Sequence, residues 1–227
     1  MADPKETYPA ETKDEEKRPE LDKLQAAAAS VEQFFKRILN ILTKPVSHFK
    51  TLSHSEKPLD VQAWLFAVLS ITASSYIFEI IALPKGEKVA FIATYAITLT
   101  CWSFYGLVAH LFCRVLGGKA TIQKSISAVL QISSLASMLS MVAAFLVWNL
   151  RADKDPLIAT AAYAFVELVL CSVYFGLALG TVHAFGRSRK IAAGIFLGIL
   201  FVALNILFFL MSFVVGGGAD KLGAPPT

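Results

Sequence analysis

Few residues of this sequence could do chemistry, and most of them stand in apolar surroundings. Glu167 lies inside AFVELVLCSVYFGLALGTVHAFGRSRK, residues 164–190, where nearly every neighbour would dissolve in lipid. An ionised carboxylate there costs at least about 2.5–3.5 kcal/mol, so it should face other protein groups, either as a hydrogen-bonded structural tie or as a proton- or ligand-linked site. Gln131 and Asn205 are further polar residues inside apolar runs, and Glu79 is shallower, near enough to an outer end to reach interfacial water or Lys85. A second constellation is duplicated: His110-x-Phe112-x-Arg114 and His183-x-Phe185-x-Arg187 stand 73 residues apart. Spaced i and i+4, each His and Arg share one helix face, where cations near a helix C-terminus complement the dipole and long basic side chains reach headgroups. Two histidines at one membrane depth could also be axial haem ligands, but capping and anchoring account for the pattern without haem.

Signatures of an active site are missing. The sequence has no His-Glu-x-x-His for a metal and no Gly-x-Ser-x-Gly for a nucleophile. Gly117-Gly118-Lys119 lacks both the upstream glycine spacing and the hydroxyl residue directly after lysine that a phosphate loop needs. The expectation is no catalytic residue, no metal and no cofactor.

The elements that must position these residues follow from hydropathy. The chain has 227 residues, 56% of them hydrophobic, with a mean hydropathy of +0.59. That is more apolar surface than a soluble fold of this size can bury. Charge is concentrated early: residues 1–60 hold 21 of the 38 charged side chains. Five apolar runs follow, near 61–83, 89–113, 126–150, 157–183 and 191–215, each about the length needed to cross a hydrocarbon core and none with a charged stripe. The first begins after sixty polar residues and is long enough to remain in the bilayer, so no signal peptide is expected. Loop lysines and arginines set the orientation. One side would carry nine (Lys44, Lys50, Lys57, Arg114, Lys119, Lys124, Arg187, Arg189, Lys190), the other five (Lys85, Lys88, Arg151, Lys154, Lys221). The bias predicts a cytoplasmic N-terminus and a C-terminus on the opposite side. Scattered over loops, the basic residues suit anionic lipid and do not form a nucleic-acid groove.

Residues 1–20, with three prolines and seven acids, are expected to be a disordered arm, and 216–227 a flexible tail. Between arm and spans, over 21–60, the sequence predicts a cytoplasmic amphipathic helix and a linker. Leu24, Ala28, Val31, Phe35, Ile38 and Leu42 recur at steps of four and three, and Pro45 limits the helix. The stripe through Val31, Phe35, Ile38 and Leu42 could lie on the cytoplasmic leaflet or pack on protein.

Turn chemistry is also legible. Gly117 and Gly186 are candidates for the left-handed residue that stops a helix, Thr121 and Ser188 for the next N-caps. Pairs of small residues, Ser70/Ser74, Ser133/Ser137, Gly176/Gly180 and Gly194/Gly198, let helix backbones approach within one bundle or between partners. Cys101, Cys113 and Cys171 fall in apolar runs and suit buried packing, with Cys113 close enough to the cytoplasmic face for acylation.

The segments FFKRILNILTKPVSHF, RVLGGKATIQKSISAVLQISS and GLALGTVHAFGRSRKIAAGIFLGIL, in that order around five spans, resemble the Yip1 domain family over roughly residues 34–212. The resemblance implies a five-helix membrane protein with a cytoplasmic N-terminal region and no enzymatic activity. Eukaryotic members act in ER–Golgi vesicle traffic and engage prenylated Rab GTPases. This chain lacks their Asp-Leu-Tyr-Gly-Pro segment, which argues against a GTPase partner and for a bacterial-type member. The reading is an all-α polytopic membrane protein: five transmembrane helices over 61–215, preceded by a cytoplasmic amphipathic helix. It would organise membrane or bind a membrane-protein partner or itself, in the inner membrane of a bacterium or the ER/Golgi of a eukaryote. The alternative is a small transporter or channel using Glu167, Gln131 and Asn205.

Overall fold

The computed structural model describes residues 29, 32–54, 61–82, 91–151 and 156–215. The arm of 1–20, the tail of 216–227 and Val31 of the amphipathic stripe lie outside them. The described residues are helical with short turns and contain no strand.

The chain divides into two units, Met1–Lys44 and Pro45–Thr227. The described part of the first is helix α1, over 32–43, in which Glu32 and Lys36 form an exposed ion pair. The Lys36 ammonium holds the Glu32 carboxyl below its ordinary range. Of the amphipathic stripe, Phe35 is 62% exposed, while Ile38 and Leu42 are half-buried.

The second unit holds α2 (Pro45–His54), α3 (Val61–Ala82), α4 (Phe91–Val115), α5 (Ile122–Leu150), α6 (Pro156–Val182) and α7 (Arg187–Val215). Proline at the first position of α2 gives up a backbone N–H that has no intrahelical partner anyway. The stretch 45–54, read from sequence as linker, thus forms a helix that packs on α5 and α6.

Helix α5 is the centre. It packs against α2, α3, α4 and α6, and every residue from Ser127 to Ser137 is buried. Serine and alanine dominate that stretch, and their short side chains let four neighbours approach. Ser74 of α3 meets Ser137 of α5, with the hydroxyls 3.3 Å apart. Contact is closer still between α6 and α7. A Cβ added at Gly194 would lie 2.3 Å from the Ser172 carbonyl oxygen and 2.9 Å from the Gly176 Cα. One added at Gly198 would lie 2.6 Å from the Ser172 Cα. The paired small residues of these helices therefore serve packing within the bundle. Tyr105 of α4 donates its hydroxyl to the Leu197 carbonyl of α7, and its ring packs with Phe175 and Phe201.

Outward faces are apolar. Leu111 is 56% exposed, Phe165 67%, Ile195 52% and Ile199 55%. In water such faces would drive aggregation, whereas acyl chains cover them at no cost. Among the described residues four helical segments are long and apolar enough to cross a membrane: Thr94–Val115, Ile122–Leu150, Ile158–Val182 and Arg187–Asn205. The described apolar part of α3, Ala63–Ile77, is shorter.

Candidate functional site

Polar side chains gather in two places. The first lies inside the bundle, around Glu167, which is 2% exposed. One turn earlier on α6, Tyr163 donates its hydroxyl to Glu167 Oε1 at 2.8 Å, the i,i+4 spacing placing both on one face. Asn205 of α7 hydrogen-bonds the same carboxyl group, and Tyr163 also bonds Ser137 of α5. Through Ser137 the chain continues to Ser74 of α3. A polar thread therefore joins four helices, Ser74–Ser137–Tyr163–Glu167–Asn205. Glu167 and Asn205 were legible as interior polar groups; Tyr163 was not singled out, although its place four residues before Glu167 was a usable signal. Gln131 is not on this thread. It accepts a hydrogen bond from His48 Nε2 at 2.6 Å, which ties α2 to α5. Glu79 is half-buried on α3.

The second gathering is where the α4–α5 and α6–α7 turns meet. Both turns close on the same backbone motif, with different residues at the left-handed position. After α4, Gly117 takes φ +87°, its N–H bonds the Arg114 carbonyl, and the Gly118 N–H bonds the Cys113 carbonyl. After α6 the left-handed residue is Ala184 at φ +58°, with Ala184 N–H on the Thr181 carbonyl and Phe185 N–H on Gly180. Gly186, expected to stop that helix, instead precedes α7 and accepts the first backbone bond from Lys190. Ser188, expected as an N-cap, lies inside α7. Thr121 does occupy the N-cap of α5, though its side chain makes no cap hydrogen bond.

These turns bring the two histidines together. His110 Nδ1 lies 3.0 Å from Ser125 Oγ, and His183 Nε2 lies 2.9 Å from the same oxygen. His183 is 1% exposed and its Nδ1 has no partner. An unpaired buried acceptor costs less than an unpaired N–H, so the His183 proton sits on Nε2 and is donated to Ser125; the single Ser125 hydroxyl proton goes to the Thr121 carbonyl at 3.2 Å, and its second lone pair accepts from His110 Nδ1–H. Burial, then the nearby His110 and Arg114, hold the His183 imidazole down to about 4. Gly118 lies so close that a Cβ there would be 2.2 Å from His183 Nδ1. The haem reading fails on this geometry, because both rings converge on one serine hydroxyl and do not face each other across an open plane. Cys113 is fully buried, which closes it to acylation.

The basic residues surround this core. Arg114 donates to the Gly118 carbonyl at 3.1 Å and Arg189 to the Leu116 carbonyl at 3.1 Å, so Arg189 latches one turn onto the other. Arg187 is the first residue of α7 and therefore sits at a helix N-terminus, where the dipole does not favour a cation as the His-x-Phe-x-Arg spacing had suggested. Lys119 is exposed in the α4–α5 turn. Ser125, the residue that joins the two motifs, was not a candidate; a lone serine one turn into a helix gives no sequence signal. Among the described residues no group of three or more His, Cys, Asp or Glu side chains is placed to hold a metal.

Apolar outer faces, helices of membrane-spanning length and a polar interior define a multi-pass α-helical integral membrane protein. The Yip1 domain model matches residues 39–214, and the chain belongs to the Yip1 domain family, whose members are generally non-enzymatic membrane proteins. No curated protein and no solved structure matches it.

Proposed function

We propose that the protein is a non-enzymatic scaffold that organises membrane, in a trafficking-like role, or holds a membrane-protein partner or a second copy of itself. It would have five transmembrane helices, α3 to α7, with the N-terminus and the two histidine-bearing turns cytoplasmic and the C-terminus opposite. The compartment would be the inner membrane in a bacterium or the ER/Golgi in a eukaryote. The observation that most supports this reading is the hydrogen-bonded thread through Glu167, because the buried carboxyl is engaged by Tyr163 and Asn205. Exposed Phe35 suits contact of α1 with the leaflet. The missing Asp-Leu-Tyr-Gly-Pro segment continues to argue against a GTPase partner.

Purified protein in liposomes should conduct protons and ions no faster than empty liposomes, and Glu167→Gln, which keeps hydrogen bonding, should leave partner capture from native membranes unchanged. Flux above the empty control that disappears in a stable Glu167→Gln protein would overturn the reading in favour of transport. For orientation, a cysteine at Ser188 should resist an impermeant thiol reagent in intact cells while one at Lys154 reacts; the reverse pattern would invert the topology.

A further inference from the structure

We propose that the cleft between α2 and the turn end of the bundle is a binding site for a phosphate-bearing ligand. The cleft has a volume of about 410 Å³, within the range of roughly 300–1,000 Å³ for small-molecule sites. Among the described residues, four lysines line it, Lys50, Lys119, Lys124 and Lys190, together with His54, and none of these lining residues is acidic. They come from four places in the chain: α2, the α4–α5 turn, the start of α5 and the start of α7.

The lysines are not explained by internal pairing. Lys124 Nζ donates to the Ser53 carbonyl and Lys190 Nζ to Thr181 Oγ1 at 3.3 Å, each using one of three ammonium hydrogens. These bonds orient the two ammonium groups while leaving donors free. Lys50 and Lys119 have no side-chain partner among the described residues. Bringing like charges together is unfavourable unless an anion neutralises them. Thr121 lines the same cleft with its hydroxyl unused as a cap, at the positive end of α5. Lysines are point charges without the bidentate geometry of arginine, which suits the several equivalent oxygens of a phosphate.

The flanks are apolar. Val182 lines the cleft, Ile191 beside Lys190 is 55% exposed, and Ile122 beside Thr121 is 39% exposed. A phospholipid could place its headgroup among the lysines and its chains along these residues; free phosphate would use the lysines alone. The proposal goes beyond the scaffold reading and does not require it.

The test uses the full-length protein in neutral detergent, with native mass spectrometry or thermal shift as readout. Phosphatidylglycerol, phosphatidylcholine and inorganic phosphate are the probes. Lys50→Gln/Lys119→Gln should weaken phosphatidylglycerol binding about tenfold, while Lys36→Gln/Lys44→Gln, with the same change in charge at residues that do not line the cleft, should change it less than about twofold. Lys50→Arg/Lys119→Arg should bind as wild type. If the glutamine pair lowers the melting temperature, the single Lys119→Glu variant, in an exposed turn, gives the same readout. Saturable binding of inorganic phosphate that displaces the lipid would make a soluble phosphate the source; lipid binding insensitive to phosphate would make it the headgroup. The proposal is overturned if neither phosphatidylglycerol nor inorganic phosphate binds wild-type protein, if zwitterionic phosphatidylcholine binds as well as phosphatidylglycerol, or if both lysine pairs weaken binding equally or not at all.

Discussion

The two turns that meet at one end of the bundle carry the same His-x-Phe-x-Arg triplet in different registers against their helices. In the first, α4 continues past His110 to Val115, so the histidine sits on the helix and Arg114 folds onto the Gly118 carbonyl. In the second, α6 stops at Val182, His183 lies in the turn itself, and Arg187 opens α7. The left-handed residue follows the motif arginine by three positions in one case (Gly117) and the histidine by one in the other (Ala184). A left-handed alanine costs about 1–2 kcal/mol. That cost is offset by burying His183 and Phe185, which are 1% and 7% exposed. Identical spacing in the sequence therefore does not mean equivalent structure; the position of the helix stop decides what each motif does. The outcome is nonetheless shared, since both imidazoles reach Ser125.

The two hairpins differ most in how they tolerate added volume at glycine. In the second hairpin Gly194→Ala drives a methyl group into the backbone of α6, so the helices must separate, at about 3 kcal/mol or more. The matching change in the first hairpin, Gly106→Ala, comes less close, to 3.0 Å from Ile126 Cγ1 and 3.1 Å from its Cα, contacts that a small shift relieves, and should cost about 1 kcal/mol. Thermal unfolding of both proteins in one detergent checks the order; equal losses would mean the hairpins are packed alike.

A smaller contrast lies in the turns. Gly118→Ala must displace the His183 ring and the Cys113 carbonyl, for about 2 kcal/mol, whereas Gly186→Ala has nothing within 4 Å and should be neutral within about 0.5 kcal/mol. The order should appear in melting temperature.

Protonation sharpens the same point. His183 has its folded-state value depressed to about 4 from 6.5, so the unfolded chain binds the proton more readily. Its contribution is complete above about pH 6.5 and is lost as pH falls towards 4. His183→Asn should flatten the melting-temperature profile in that window relative to wild type; superimposable slopes would place the histidine in water.

How much of this was readable in advance differs between the two gatherings of polar groups. Membrane helices declare themselves by length and hydropathy, and Glu167 and Asn205 stood out because polar groups in lipid are costly. The α4 stop was legible because glycine is the usual left-handed residue. The α6 stop was misread because Ala184 carries no such signal and Gly186 offered a false one. Helix α2 was hidden by its mixed polarity: it gains its place from Phe49, fully buried, and from the His48–Gln131 bond, contacts that exist only once the bundle has formed. Ser125 was invisible for the same reason, since its role is defined by two partners distant in sequence.

That His110 and His183 act as one unit through Ser125 is best tested by a double-mutant cycle of unfolding free energies. With His110→Ala and His183→Ala, non-additivity of about 1 kcal/mol is expected in the wild-type background, vanishing when Ser125→Ala is present. Additivity within about 0.3–0.5 kcal/mol in both backgrounds would contradict it, and the two motifs would then be independent turns that happen to lie side by side.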